Sequence, residues 1–541
     1  MDRLLPTRRT FAASAAVATL AGSWPLRADD PAPLLPSGVA SGDVTHDAAI
    51  VWSRCDRPAR MFVEYAATPD FRNARRAGPV RATAESDFTA RVELTGLPPG
   101  RVVHYRVWFR DDADRLSPPV AGRLRTAPAP GQTAEVFFAW SGDTCGQGFG
   151  INPEWGGLKI YDAIRRREPH FFVHSGDTIY ADNPLRDKVA LADGSTWVNV
   201  VTPAKSHVAV TLDDFRGNYA YNLLDEHVRR FHGEVAQVVQ WDDHEVTNNW
   251  YPDQVLANRK DAAAYAGVRL GRDLAGRARQ AFFEYMPIRL QEAERGRIYR
   301  SFGHGALAEL FVLDQRSYRG PNTPNVQPKP GRESAFLGAE QLKWLKDGLK
   351  ASKATWKVIC SDMPIGLVVG DGGEGKPHFE AVANGDNGPP LGREAEFAEL
   401  FQFLHEHGVK NLVWLTADVH YAAAHHYGPE RAGWKEKFEP FWEFVAGPLH
   451  AGTFGPPALD MTFGPEVRFQ WAPRAGLELP GGYKVPQNFK LPLPPSAGMQ
   501  SFGTVRIDPL SRVLTVEFRD LNGELVHDGR RLGRFELEPA R

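Results

Sequence analysis

Cysteine is scarce in this sequence: Cys55, Cys145 and Cys360 are the only 3 in 541 residues. An odd number spread so widely excludes a disulfide framework, so core packing must supply the stability. Charge of one sign is not in excess either. Lys and Arg number 64 against 66 Asp and Glu, which removes the overall electrostatic case for a nucleic-acid or membrane-surface protein. There is no apolar run long enough for a membrane helix and no internal repeat. Gly (51) and Pro (42) are scattered rather than gathered into a low-complexity tract. What remains is an ordinary globular composition, over a length that implies several domains or one large α/β domain with insertions.

The N-terminus carries the first positive signal. Thr7-Arg8-Arg9-Thr10-Phe11 precedes an uncharged, Ala-rich run from Phe11 to Gly22, too short to span a bilayer. It resembles a twin-arginine export signal, with cleavage expected between Ala21 and Asp30. That route carries folded proteins, which suits a metalloenzyme, and implies the twin-arginine translocase as a partner and a periplasmic or secreted location.

Residues from about Ser37 to Thr126 read as short strands divided by turns: Ala48–Arg54, Met61–Ala66, Ala90–Leu94 and Val102–Phe109. The alternating pattern and the Leu97-Pro98-Pro99-Gly100 turn predict a small all-β sandwich. Leu94 to Gly100, followed by Val102 to Val107, is similar to a fibronectin type III-like module. Ala127–Gly131 reads as a linker. Beyond it, apolar strands alternate with amphipathic helices, which implies βα units. Val136–Trp140, Phe171–Val173, Val235–Gln240, Leu310–Leu313, Trp356–Ile359 and Leu412–Leu415 are the strand candidates. Ala339–Lys350 and Arg393–His407 have helical spacing, the second stopped by Gly408. Gly503–Ile507 and Leu514–Phe518 return to strand in the tail.

Five strands end in a polar cluster: Ser141-Gly142-Asp143-Thr144-Cys145, Gly176-Asp177-Thr178-Ile179-Tyr180, Trp241-Asp242-Asp243-His244-Glu245, Ser361-Asp362, and Thr416-Ala417-Asp418-Val419-His420. A lone Asp after a strand is usually a turn former or helix cap. Carboxylates, imidazoles and a tyrosine at successive strand ends instead describe a metal centre on converging loops. Asp177 suits a carboxylate bridging two cations that activate one shared hydroxide. Tyr180 lies a turn further on, and its phenol favours ferric iron, which would deprotonate it. Asp418 and His420, at i and i+2 on an extended segment, should point the same way. Asp243 is placed for the second cation and His244, beside it, for substrate.

Gly-Asp-x-x-Tyr, the run Trp241 to Asn249 and Thr-Ala-Asp-Val-His resemble the PhoD-type alkaline phosphatases among the calcineurin-like metallophosphoesterases. The resemblance implies an α/β (α+β layered) fold with a β-sandwich core flanked by helices, preceded by the small all-β sandwich. The resemblance covers residues 37–541, and together with the export signal it divides the chain into a signal at 1–30, a β domain at 36–127 and a catalytic domain at 133–541. It further implies Fe(III) paired with a divalent cation, Ca(II) first and Mn, Mg or Zn as alternatives. Asp177 would bridge; Tyr180, Asp418 and His420 would complete the iron shell; Asn248 would lie near the divalent ion. The family supplies a Cys after the first strand, so Asp143 and Cys145 compete for that ligand position. Asp362 is a weaker candidate for the second metal. His450 and Arg316 are candidates for touching substrate, with a structural role as the plainer reading.

The function expected is hydrolysis of small phosphate esters, mono- or diesters, for phosphate acquisition outside the cytoplasm, with His244 assisting the leaving group. The alternatives are a phospholipase D-type diesterase acting on lipid or teichoic-type diesters, and a non-catalytic extracellular binding protein. No nucleic-acid partner and no stable membrane span are expected.

Overall fold

Three strands rich in Val, Phe and Ala, namely Val136–Ser141, Phe171–Ser175 and Ala236–Gln240, are buried along their whole length. Such runs fit parallel strands covered on both faces, and these three pair side by side in parallel. In the computed structural model, which describes residues 31–540 apart from 292, 293, 295, 372–376 and 480–483, they form the middle of a nine-stranded sheet. The tail strands Ser501–Ile507, Leu514–Asp520 and Arg534–Leu537 continue that sheet on one side. A second sheet has seven strands, and its parallel middle is Ala308–Val312, Trp356–Cys360, Leu412–Thr416 and Phe441–Val445.

The two sheets share one core. Phe138, Trp140, Val173 and Val238 from the first belong to the same apolar cluster as Leu310, Val358, Val413 and Phe444 from the second. The opposite face of the first sheet (Ala139, Phe172, Val239) packs with Phe215, Phe231 and Phe282 from the helices Leu212–Asn222, Glu226–Glu234 and Gly271–Tyr285. Phe311, Ile359 and Trp414 on the outside of the second sheet pack with Leu342 and Leu345 from Ala339–Ala351 and Phe397 and Leu400 from Glu394–Glu406. The layers therefore run helix, sheet, sheet, helix, as the sequence implied.

The small N-terminal sandwich is built into this frame. Its strand Val102–Asp111 buries alternate residues, as a half-covered strand must. That strand lies in a four-stranded sheet facing Ala48–Arg54 and Thr89–Thr95, and those two strands belong to the nine-stranded sheet itself. The join is Val39–Gly42, which pairs in parallel with Ala236–Gln240 through Gly42 and Gln237. The segment read as a linker is correspondingly tethered: the Ala127 N–H donates to Thr45 O, and its carbonyl accepts from Gly100. The export reading of residues 1–30 lies outside the described residues.

Candidate metal centre

The parallel strands of both sheets point their carboxyl ends at one region, and the clusters read from the sequence follow them there. Three overlapping groups place ligand-competent atoms within 4.8 Å of one another: Asp143–Asp177–His420, Asp177–Asp243–His244 and Asp242–Asp243–Asp418. Asp177 belongs to the first two, the position expected of a bridging carboxylate. Tyr180 joins the first group, with its Oη 2.8 Å from His420 Nε2. His420 Nδ1 donates to the Gly452 carbonyl at 2.6 Å, which leaves the Nε2 lone pair facing Tyr180 and Asp143.

The backbone is bent to make this possible. Asp143, Asp177, Asp418 and His420 all hold positive φ, between 52° and 70°, a conformation that costs non-glycine residues about 1–3 kcal/mol each. Close approach of the loops needs glycine at two points. A Cβ on Gly176, whose φ is +92°, would lie 2.4 Å from the Asp242 Cβ, and one on Gly447 would lie 2.4 Å from Asp143 Oδ2. Glu245 ties two loops together by accepting the N–H groups of Asp177, Thr178 and Asp242 at 3.1, 2.6 and 2.8 Å. Burial raises its carboxyl to about 7 against the pull of those donors.

Acids outnumber the partners they can find. Neither oxygen of Asp143, nor Asp243 Oδ1, receives a hydrogen bond from the described residues, although all are buried. Burial, with the charges of Asp243, Glu245 and Asp143, pushes Asp177 well above the usual carboxylate range against the pull of His244. Burial also raises Tyr180, and Asp177 and Asp143 raise it further. Carboxylates crowded this way without donors are what metal ions satisfy. The residues fit a pair of cations, and oxygen donors with one imidazole and one phenol suit hard ions.

His244 stands at the edge of the second group. Its Nδ1 pairs with Asp182 at 2.6 Å, and its Nε2 faces Asp243 at 4.0 Å. Burial alone would lower its pKa, but Asp182, Asp243 and Asp177 together raise it well above the usual imidazole value. Asp182 also accepts the Asn248 N–H at 2.8 Å, and neither it nor Glu380 was singled out by sequence reasoning. For Asp182 the signal was present, a carboxylate two residues past Tyr180 on the same strand-end loop. Glu380 has no strand-end position to mark it.

Several expected residues stand elsewhere. Asp418 groups with Asp242 and Asp243 rather than with His420. The i, i+2 expectation assumed an extended chain, and the left-handed conformations of both residues undo it. Cys145 is buried in the apolar cluster with Ile151 and Phe172. It joins none of the cation-competent groups among the described residues, and burial pushes its thiol up. Of that pair, Asp143 is the one that stands in a cation-competent group. Asp362 lies against Arg316, with Arg316 Nε 3.3 Å from its Oδ2. Arg316 itself is fully buried among carboxylates, so it has no face for substrate. The buried His450 ring neighbours Trp155 and Trp197, and its Nε2 is 3.0 Å from the Gly150 carbonyl, while its backbone N–H donates to Asp143 O. The Asn248 side chain is exposed beside the centre; the neighbouring Asn249 donates its backbone N–H to Asp243 Oδ2 at 2.6 Å.

The architecture matches solved structures over nearly its full length. A structure of PhoD superposes with a TM-score of 0.67 at 23% identity, covering 95% of this chain and 92% of that one. The purple acid phosphatase PPD1 from yellow lupin seeds superposes with a TM-score of 0.54 at 13% identity, covering 94% of this chain and 74% of that one. Paired sheets between helices, with acid-bearing loops at one end, define a metallophosphoesterase fold. The chain belongs to the PhoD-like phosphatase family: residues 138–517 match that family and residues 20–128 match its N-terminal domain. Alkaline phosphatase D of Bacillus subtilis (strain 168) is 30% identical over 407 residues, which cover 71% of this chain and 64% of that protein. The match thus spans less than two thirds of that relative's length.

Proposed function

We propose that the protein is an alkaline phosphatase that hydrolyses phosphate mono- and diesters at a pair of metal ions. The observation that carries this reading is Asp177, shared by two buried cation-competent groups in which both Asp143 oxygens and Asp243 Oδ1 lack hydrogen-bond donors among the described residues. Asp143, Asp177, Tyr180 and His420 would hold one ion, and Asp177 and Asp243, with Asn248 nearby, the other. A phenol among the donors supports Fe(III) in the first position, with a divalent cation, Ca(II) first, in the second. When bound, such ions neutralise phosphoryl oxygens and make water more acidic.

The chain's own groups do the rest. His244, held by Asp182 at Nδ1 and with its pKa raised by the surrounding carboxylates, presents Nε2 as a donor to a phosphoryl or leaving oxygen. Asp182 fixes the ring, and Glu245 fixes the loops that carry Asp177 and Asp242. We place the protein outside the cytoplasm, delivered by the twin-arginine translocase, on the strength of Thr7 to Gly22; no helix among the described residues is long and apolar enough to cross a membrane. The test is hydrolysis of a nitrophenyl phosphate monoester and diester before and after chelation. Activity on either that is lost with the metal and restored by readdition is expected. Hydrolysis unaffected by complete metal removal would contradict the proposal.

A further inference from the structure

Alternation along the tail strands gives the flank of the nine-stranded sheet two unlike faces. Val505, Ile507, Val516 and Phe518 turn into the core between the sheets. Arg506, Glu517 and Arg519 turn the other way and line a groove of about 320 Å³, together with Arg534 from the last strand and Arg166 and Arg167 just after the helix Ile160–Arg165. That volume is at the lower end of the range for small-molecule sites. Five arginines and a single acid line the groove, and none of its residues belongs to the cation-competent groups of the metal centre.

The acids within reach do not balance this charge. Glu517 is shared, with Arg519 Nη2 at its Oε2 and Arg534 Nη1 2.8 Å from its Oε1. Arg534 also meets Glu536 at 2.7 Å, Arg166 meets Asp162 at 3.1 Å, and Arg506 pairs with Glu135; these three acids are not part of the lining. Arg167 forms no hydrogen bond or ion pair among the described residues, and Arg519 Nε is buried without an acceptor. Desolvation and the charge of Arg519 lower the Arg167 pKa against the pull of Glu517 and Glu524. Guanidinium groups gathered in a concavity attract an anion, and each presents a planar fork that matches a tetrahedral oxyanion. Phe137, the ring in the wall, is buried under the Arg506 guanidinium, 3.9 Å from its centroid, and offers no face on which a base could stack. The concave shape also suits a small anion better than a lipid surface. We propose that this groove is an anion site separate from the metal centre, for a small molecule carrying several phosphate or comparable tetrahedral oxyanion groups.

The test is calorimetric titration of the purified metal-loaded protein with myo-inositol hexasulfate, whose sulfate groups present tetrahedral oxyanions without a phosphate ester to hydrolyse. The wild type should bind it, and R167Q should bind it about tenfold more weakly or worse, the effect of one lost ionic hydrogen bond. R60Q removes the same charge from an exposed position on the strand Ala59–Ala66 and should bind as the wild type does. R167Q should also hydrolyse the nitrophenyl phosphate substrates at the wild-type kcat, since the groove takes no part in the reaction. No binding by the wild type, undiminished binding in R167Q, or an equal loss in R60Q would overturn the inference. So would a kcat that falls in R167Q together with binding, because the groove would then belong to the catalytic centre. Binding to phosphatidylglycerol vesicles with none to the hexasulfate would make this flank a membrane-facing surface and overturn it as well.

Discussion

At the residue scale, the side chain whose role is most open to direct trial is His244. It lies within ligand distance of Asp177 and Asp243, yet its Nδ1 is committed to Asp182 at 2.6 Å, and the carboxylates around it favour the charged ring. The proposed role makes its Nε2 a proton donor and not a ligand. His244→Ala should therefore lower kcat by about 10²–10⁴-fold, the usual range for a lost proton donor, with metal content unchanged. Metal lost in step with activity would make His244 a ligand instead. Much of this chemistry was legible because each acid follows a strand directly. Asp143, Asp177, Asp243 and His420, picked out by local order, do meet at one end of the sheets. The places of Asp418, Arg316 and Glu380 could not be read that way, because they are set by how the ends of two separate sheets close on each other.

At the scale of elements, legibility followed burial. Trp356–Cys360 and Leu412–Thr416 announce themselves as apolar runs. Ala422–Tyr427 does not, since its sequence Ala-Ala-Ala-His-His-Tyr has weak strand preference and depends on its neighbours. Arg75–Ala82 is hidden for another reason. It holds Pro79 and three arginines, which are tolerated because the strand lies at the edge of its sheet. The tail is a structural strand: Gly503 pairs with Trp140, and a Cβ there would meet the indole at 2.0 Å. Gly503→Ala should destabilise the fold by about 1–3 kcal/mol, the range for overpacking, read as a lower urea midpoint. An unchanged midpoint would mean that the tail strand does not hold this register.

At the scale of the whole molecule, the N-terminal sandwich and the catalytic layers share a sheet and a core, so they should unfold together. The same core makes stability depend on pH. His304 is buried and stacked on Phe171 with ring centroids 4.4 Å apart, and burial, aided by His170, lowers its pKa to about 3. An unfolded histidine titrates near 6.5. Between these values the unfolded chain binds more protons, so stability rises with pH and is lost as pH falls below about 6.5. By pH 5 the loss is about 2 kcal/mol from this group. His304→Gln should flatten the fall in urea midpoint between pH 7 and pH 5; an equal slope in both proteins would show that His304 does not drive it. The account as a whole rests on paired cations bridged by Asp177 with a phenolate on one of them. Metal analysis of the purified protein, taken with its visible spectrum, tests it most directly. About one equivalent of iron and one of a divalent cation, with a broad tyrosinate band that disappears in Tyr180→Phe, is the predicted result. Protein that carries no metal and takes up none on addition would contradict it.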